Sequence, residues 1–191
     1  MKVSIVKKDQ IITENGLDES TVIDKRDYTS IVLLSKVIVA SIYAFGLGYS
    51  LFFLGDEFIE VGLLFLALLI ISYIIIEYPY ALLKALFLPK VFDKDNINLQ
   101  IHPFTMSIDI CSKIAISKTR IILSLIVPFI ILAIIPTIAS YLLEFNMYFY
   151  VIASSAAIIA TKDLIYLFLI LKNSSKIDNI KLALNEFIFY N

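Results

Sequence analysis

A chain of 191 residues that is 60% hydrophobic and only 17% charged lies outside the range of soluble domains and reads as a one-domain integral membrane protein. Its net charge of −1 supplies no global field to recruit nucleic acid or an acidic substrate, which excludes a nucleic-acid partner. The single cysteine, Cys111, cannot make an internal disulfide, and no glycine-rich phosphate loop or cysteine cluster is present.

Residues 1–30 read as a cytosolic N-terminal arm, with one strand or turn expected around Asn15-Gly16 and no apolar region of signal-peptide type near Met1. The first span is expected over 31–54, with Lys36 near enough to its start to snorkel back to water. Gly46 and Gly48, with Ala40, Ala44 and Ser50, slim one part of it, either for a close helix crossing or as the ordinary glycine content of membrane helices. A short acidic connection, GDEFIE, leads to a second span over 61–83. Its uncharged run ends at Ile76, short of the roughly 20 residues a span needs, so Glu77 and Lys84 belong to the same helix or its end. An ionisable group at such depth costs about 2.5–3.5 kcal/mol for the most costly types and points to function.

Beyond Pro89, alternation of Ile97, Leu99 and Ile101, and of Met106, Ile108 and Ile110 after a turn at Pro103, predicts a cytosolic β-hairpin over 96–111. The third span, 121–143, contains Pro128 and Pro136, each able to kink a helix. The fourth, 147–171, carries Lys162 and Asp163 side by side, and a C-terminal tail, 172–191, ends in the amphipathic run LALNEFIFY, expected to lie against the domain or the membrane surface. The predicted class is therefore all-α integral membrane, four transmembrane helices with a small hairpin between the second and third. Basic residues set the orientation: five before the first span, five within 85–120 and three in the tail, against none in the two short connections. By the positive-inside rule both termini and the hairpin are cytoplasmic.

At Tyr80 the sequence YALLKALFLPK resembles the HELLHALFFPK type of segment in a bacterial family of membrane zincin peptidases of unknown function, distant relatives of site-2 proteases. ISKTRIILSLIVPFIILAIIP resembles that family's third span, and SSAAIIATKDLIYLFLILK its last, where a small-residue run leads to an aspartate. The resemblance extends over about residues 60–190 and implies the fold. In H-E-x-x-H helices the two histidines hold zinc from one face and the glutamate activates the bound water. The corresponding residues here are Tyr80, Ala81 and Lys84, leaving Asp163 at the presumed third-ligand position. One histidine, His102, and one cysteine in the whole chain argue against a zinc site, so no metal, no cofactor and no catalytic residue is assigned.

Glu77, Tyr80 and Lys84 fall at i, i+3 and i+7, along one helical face. If the resemblance holds, that face meets Asp163, and the expected buried polar cluster is Glu77, Lys84, Lys162 and Asp163, with Lys84 pairing Asp163 in place of zinc. The alternative is that Lys84 snorkels at the helix end and Glu77 faces headgroups. His102 precedes a turn proline and reads as solvated, Cys111 as a strand-face hydrophobe, and Ser154 and Ser155 as small packing residues rather than nucleophiles with Lys162 as base. The function expected from these readings is an inactive zincin homologue in the cell membrane. It would bind a peptide or membrane partner in a regulatory, accessory or immunity role, with only the lipid bilayer as a certain contact. The competing readings are a metal-independent membrane hydrolase and a small transporter using Lys162 and Asp163.

Overall fold

The computed structural model describes residues 2–5, 21–24, 28–54, 58–89, 97–102, 107–112, 115–173, 179–182 and 186–190. Most of them are helical: α1 (Thr29–Leu54), α2 (Phe58–Leu86), α3 (Lys118–Phe129), a π-helical segment (Ile130–Ile134), α4 (Ile135–Leu142) and α5 (Met147–Asn173). Four stretches, Thr29–Ser50, Gly62–Leu86, Lys118–Leu142 and Met147–Lys172, are long and apolar enough to cross a bilayer. Their length and composition suggest a multi-pass membrane protein. Among the described residues seven strands accompany them: β1 (Lys2–Ile5), β2 (Thr21–Asp24), β3 (Ile97–His102), β4 (Ser107–Ser112), β5 (Ile116–Ser117), β6 (Asn179–Leu182) and β7 (Glu186–Tyr190). The chain divides into two compact units.

One unit comprises Met1–Thr29, Ala81–Ser124 and Leu167–Asn191. The predicted hairpin is there as β3 and β4, antiparallel from Ile97 opposite Ser112 to His102 opposite Ser107. Among the described side chains of β4, Ile108, Ile110 and Ser112 are buried and Cys111 between them is only half-buried, as period-two alternation requires. An all-α class with a lone hairpin does not describe this unit, because the arm and the tail are also built into sheets. β1 adds to β3 in parallel, giving the order β1-β3-β4. The tail, read as an amphipathic run lying against the domain or the membrane surface, contributes β6 and β7, which join β2 and β5 in the order β2-β7-β6-β5. Ile116 and Ile180, opposite one another and both almost fully buried, fix that register. Asn15-Gly16 lies outside the described residues.

The other unit comprises Ser30–Tyr80 and Leu125–Tyr166. Helix α5 supplies its slim centre: Ala153, Ser154, Ser155, Ala156 and Ala160 are all 0% exposed. Small side chains let backbones approach closely, which is the main means of helix association in a lipid environment. Ser72 of α2 meets Ser155 of α5, 83 positions later, and Ile76 and Tyr80 pack with Ala156, Ala157, Ile159 and Ala160. The third span shows both prolines at work. Pro128 sits inside α3, and Pro136 follows a turn widened to π geometry, in which the Ile135 amide donates to the Ile130 carbonyl. A proline ring collides with the carbonyl one α-turn earlier, and a wider turn makes room for it.

The four-residue connection into α5, 143–146, is held by its own polar groups. Glu144 and Phe145 adopt left-handed backbone angles, φ 54° and 60°. The turn is closed by the Asn146 amide donating to the Ser140 carbonyl at 2.9 Å and the Ser140 hydroxyl donating to the Asn146 carbonyl at 2.8 Å. The Asn146 side chain then caps α5 by accepting from the amides of Tyr148 and Phe149.

Candidate functional site

Helix α2 is continuous through Pro79, which is exposed, so Ile76, Glu77 and Tyr80 keep one helical face in common and turn inward. Tyr80 is 2% exposed, Glu77 8% and Asp163, from α5, 3%. The offset between Tyr80 and Asp163 is the 83 residues that separate Ser72 and Ser155, so the phenol and the acid occupy matching levels two turns further along the two helices. Burial is the dominant influence on the Tyr80 hydroxyl, followed by the Asp163 carboxyl and then by Glu77. The approach falls short of hydrogen-bond geometry, and among the described residues that hydroxyl has no hydrogen-bond partner.

Three lysines surround this stretch of sequence. Lys162 is half-buried with its ammonium 5.9 Å from the centre of the Tyr166 ring. Neighbouring helical positions project about 100° apart, so sequence adjacency to Asp163 does not make the two side chains share a direction. Lys36, expected to snorkel, donates to the Tyr73 hydroxyl at 3.0 Å and lies 5.6 Å from the centre of that ring. Sequence reasoning gave this contact no weight, because nothing local to α1 announces which residue of α2 stands beside it. Ala81 (3% exposed) and Lys84, half-buried in the last turn of α2, belong to the sheet-containing unit.

The serines of α5 are spent on packing. Ser154 and Ser155 both donate to the Val151 carbonyl at 2.9 Å, a back-bonded state that leaves a hydroxyl poorly placed as a nucleophile. His102 ends β3 opposite Ser107, and Cys111 is half-buried on β4 opposite Asn98.

The family profile described as "Putative zincin peptidase" matches residues 74–177, a little over half of the chain. The chain belongs to this zincin family. The matched stretch contains Tyr80, Ala81, Lys84 and Asp163 together with the whole third span. No curated protein and no solved structure matches the chain. Zinc, the metal that zincin chemistry implies, fits the residues of this member poorly. Catalytic zinc takes three nitrogen, sulfur or carboxylate ligands, and among the described residues no group of three His, Cys, Asp or Glu side chains stands together. Tyr80 and Lys84, four residues apart on α2, offer a phenol and an ammonium, neither of them a usual zinc ligand.

Proposed function

We propose that this zincin-family protein is a catalytically inactive homologue, seated in a bacterial cell membrane with both termini and the hairpin cytoplasmic. It binds a peptide or the membrane helix of a partner without cleaving it, in a regulatory, accessory or immunity role. The observation that carries the reading is the trio Tyr80, Ala81 and Lys84 on α2, which contains neither a zinc ligand of the usual kind nor the carboxylate that would activate water. The orientation is supported by the basic residues, concentrated in the arm, in 85–120 and in the tail.

The reading makes α2 a former metal-binding helix, and that can be tested by restoring the pattern. The triple variant Tyr80→His, Ala81→Glu, Lys84→His places two imidazoles at i and i+4 on one helix, with a glutamate between them. It is expected to retain about one zinc per chain through desalting, the content of an intact catalytic site. A folded triple variant that takes up no zinc contradicts the descent of this helix from a metal-binding one.

A further inference from the structure

We propose that Lys36 on α1 and Tyr73 on α2 form a docking point inside the membrane for a carboxylate carried by the membrane helix of another protein. The proposal rests on the binding role put forward above and names the chemistry of the partner. Both residues belong to one compact unit.

The observation that carries it is the level at which an ammonium is held. Counted from Gly62, Tyr73 is the twelfth residue of a 25-residue apolar stretch, with about 16 Å of helix on one side of it and about 20 Å on the other. The half-buried Lys36 donates to the Tyr73 hydroxyl at 3.0 Å and lies 5.6 Å from the centre of that ring. Among the described residues these are the contacts its ammonium makes. A lysine within a span costs about 2.5–3.5 kcal/mol on insertion scales. A neutral phenol offsets part of that cost and takes up one of three N–H donors. Glu77, one turn beyond Tyr73, is 8% exposed and has contacts of its own.

The surface around the pair is open. α1 is the least covered of the four spans, with 6% of its apolar window buried against 61% for α5. Leu33, one turn before Lys36, is 64% exposed, and Ile70, one turn before Tyr73, is 65% exposed. Ala40 and Ala44, one and two turns beyond Lys36, keep that side of α1 slim enough for another helix to come close.

Depth selects the occupant. Lipid phosphates lie at the two surfaces, about 15 Å from the middle of a 30 Å core, so a bilayer headgroup does not reach this level. Among the described residues of its spans, a second copy of the chain offers as acids only Glu77 and Asp163, 8% and 3% exposed within their own unit. An aspartate or glutamate in the span of a different protein meets both conditions: it reaches the level of Tyr73, and it supplies the charge that the phenol does not.

The test uses the full chain in phosphatidylcholine liposomes and three labelled leucine-alanine membrane helices that differ only in their central residue, glutamate, glutamine or leucine. Energy transfer to a label on the protein reads each affinity. The glutamate peptide is expected to bind about tenfold tighter than the leucine peptide. Lys36→Met should erase the difference, and Lys36→Arg should keep it. Comparing peptides on the unmodified protein keeps the result independent of how a variant folds. Equal affinity for all three peptides overturns the docking point but not the binding of a helix, whereas binding of none overturns both. A glutamate preference that survives Lys36→Met also overturns the point. Displacement of the glutamate peptide by oleate would assign the site to a lipid carboxylate, and self-association of the chain lost in Lys36→Met would assign the face to a second copy. Either result overturns the proposed partner.

Discussion

Ala160→Leu is expected to abolish the folded state of the protein in detergent, or to lower its unfolding midpoint further than any lipid-facing change. Ala160 is 0% exposed and packs in one cluster with Ile76, Tyr80, Ala156 and Ile159. A leucine there adds three carbons where the backbones of α2 and α5 approach through alanine and serine. Overpacking costs about 1–3 kcal/mol even in soluble cores that can relax, and this contact has matching tight layers at Ser72–Ser155 and Tyr80 to absorb no movement. The control is Phe168→Leu on the same helix, at a side chain 64% exposed, which should leave the midpoint nearly unchanged. Size-exclusion profiles and thermal unfolding read both, and a stable, monodisperse Ala160→Leu protein would show that the α2–α5 packing is not what holds the unit together.

Gly46→Ala is the second large effect, and its sign runs against local propensity. Alanine in place of glycine inside a helix gains about 1 kcal/mol. At position 46, however, a Cβ would stand 2.5 Å from the Tyr150 hydroxyl oxygen and 3.5 Å from that of Tyr141. Tyr150 is 2% exposed, and its hydroxyl donates to the Tyr43 carbonyl at 2.7 Å. Its ring touches those of Tyr43, Phe65, Tyr141 and Phe145. The tyrosine therefore has no easy way to give ground. The Tyr43 hydroxyl continues the chain to Thr137 at 3.0 Å, and Thr137 donates to the Ala133 carbonyl in the π-helical segment, so displacing Tyr150 disturbs three spans at once. A net loss of about 2 kcal/mol is expected, from the lost hydrogen bond and the strained ring set less the helix gain. Tyr150→Phe removes the clashing atom, so the double variant should be more stable than the sum of the two single losses allows. Simple additivity in the thermal data would mean that the two residues do not meet.

These contacts also mark how far the sequence can be read. The four helices follow from the length of their apolar runs, and the hairpin from strict alternation around Ile97–Ile110, because both signals are local. The remaining strands are harder. β1 and β2 are four residues each, and β1 pairs in parallel with a strand more than ninety positions away. No pattern inside KVSI specifies such a partner. NIKL, with only two apolar residues, and EFIFY, a short apolar run, are too short for helical and extended periods to be told apart. Pro136 announces a disturbance in the third span, but not that the chain answers with a π turn.

The candidate site divides in the same way. Asp163 and Glu77 attract attention as charges beside long apolar runs, and Tyr80 through the motif position it fills. The shared offset that sets Tyr80 level with Asp163 comes from the packing of α2 on α5. The same holds for Lys36 on Tyr73 and for Gly46 beneath Tyr150. Helix register is decided by fitting many side chains at once, and no single residue carries it.

The inactive reading rests on the metal chemistry of α2, and the most direct test is the zinc content of the unmodified protein. The full chain, purified in detergent, would be incubated with excess zinc, desalted and measured for metal against protein concentration. With no group of three His, Cys, Asp or Glu side chains together among the described residues, the content should stay below about a tenth of an equivalent, since three good ligands are needed to hold zinc through desalting. A full equivalent retained by the unmodified chain, and lost on Asp163→Asn, would contradict the account and return the protein to the active zincins.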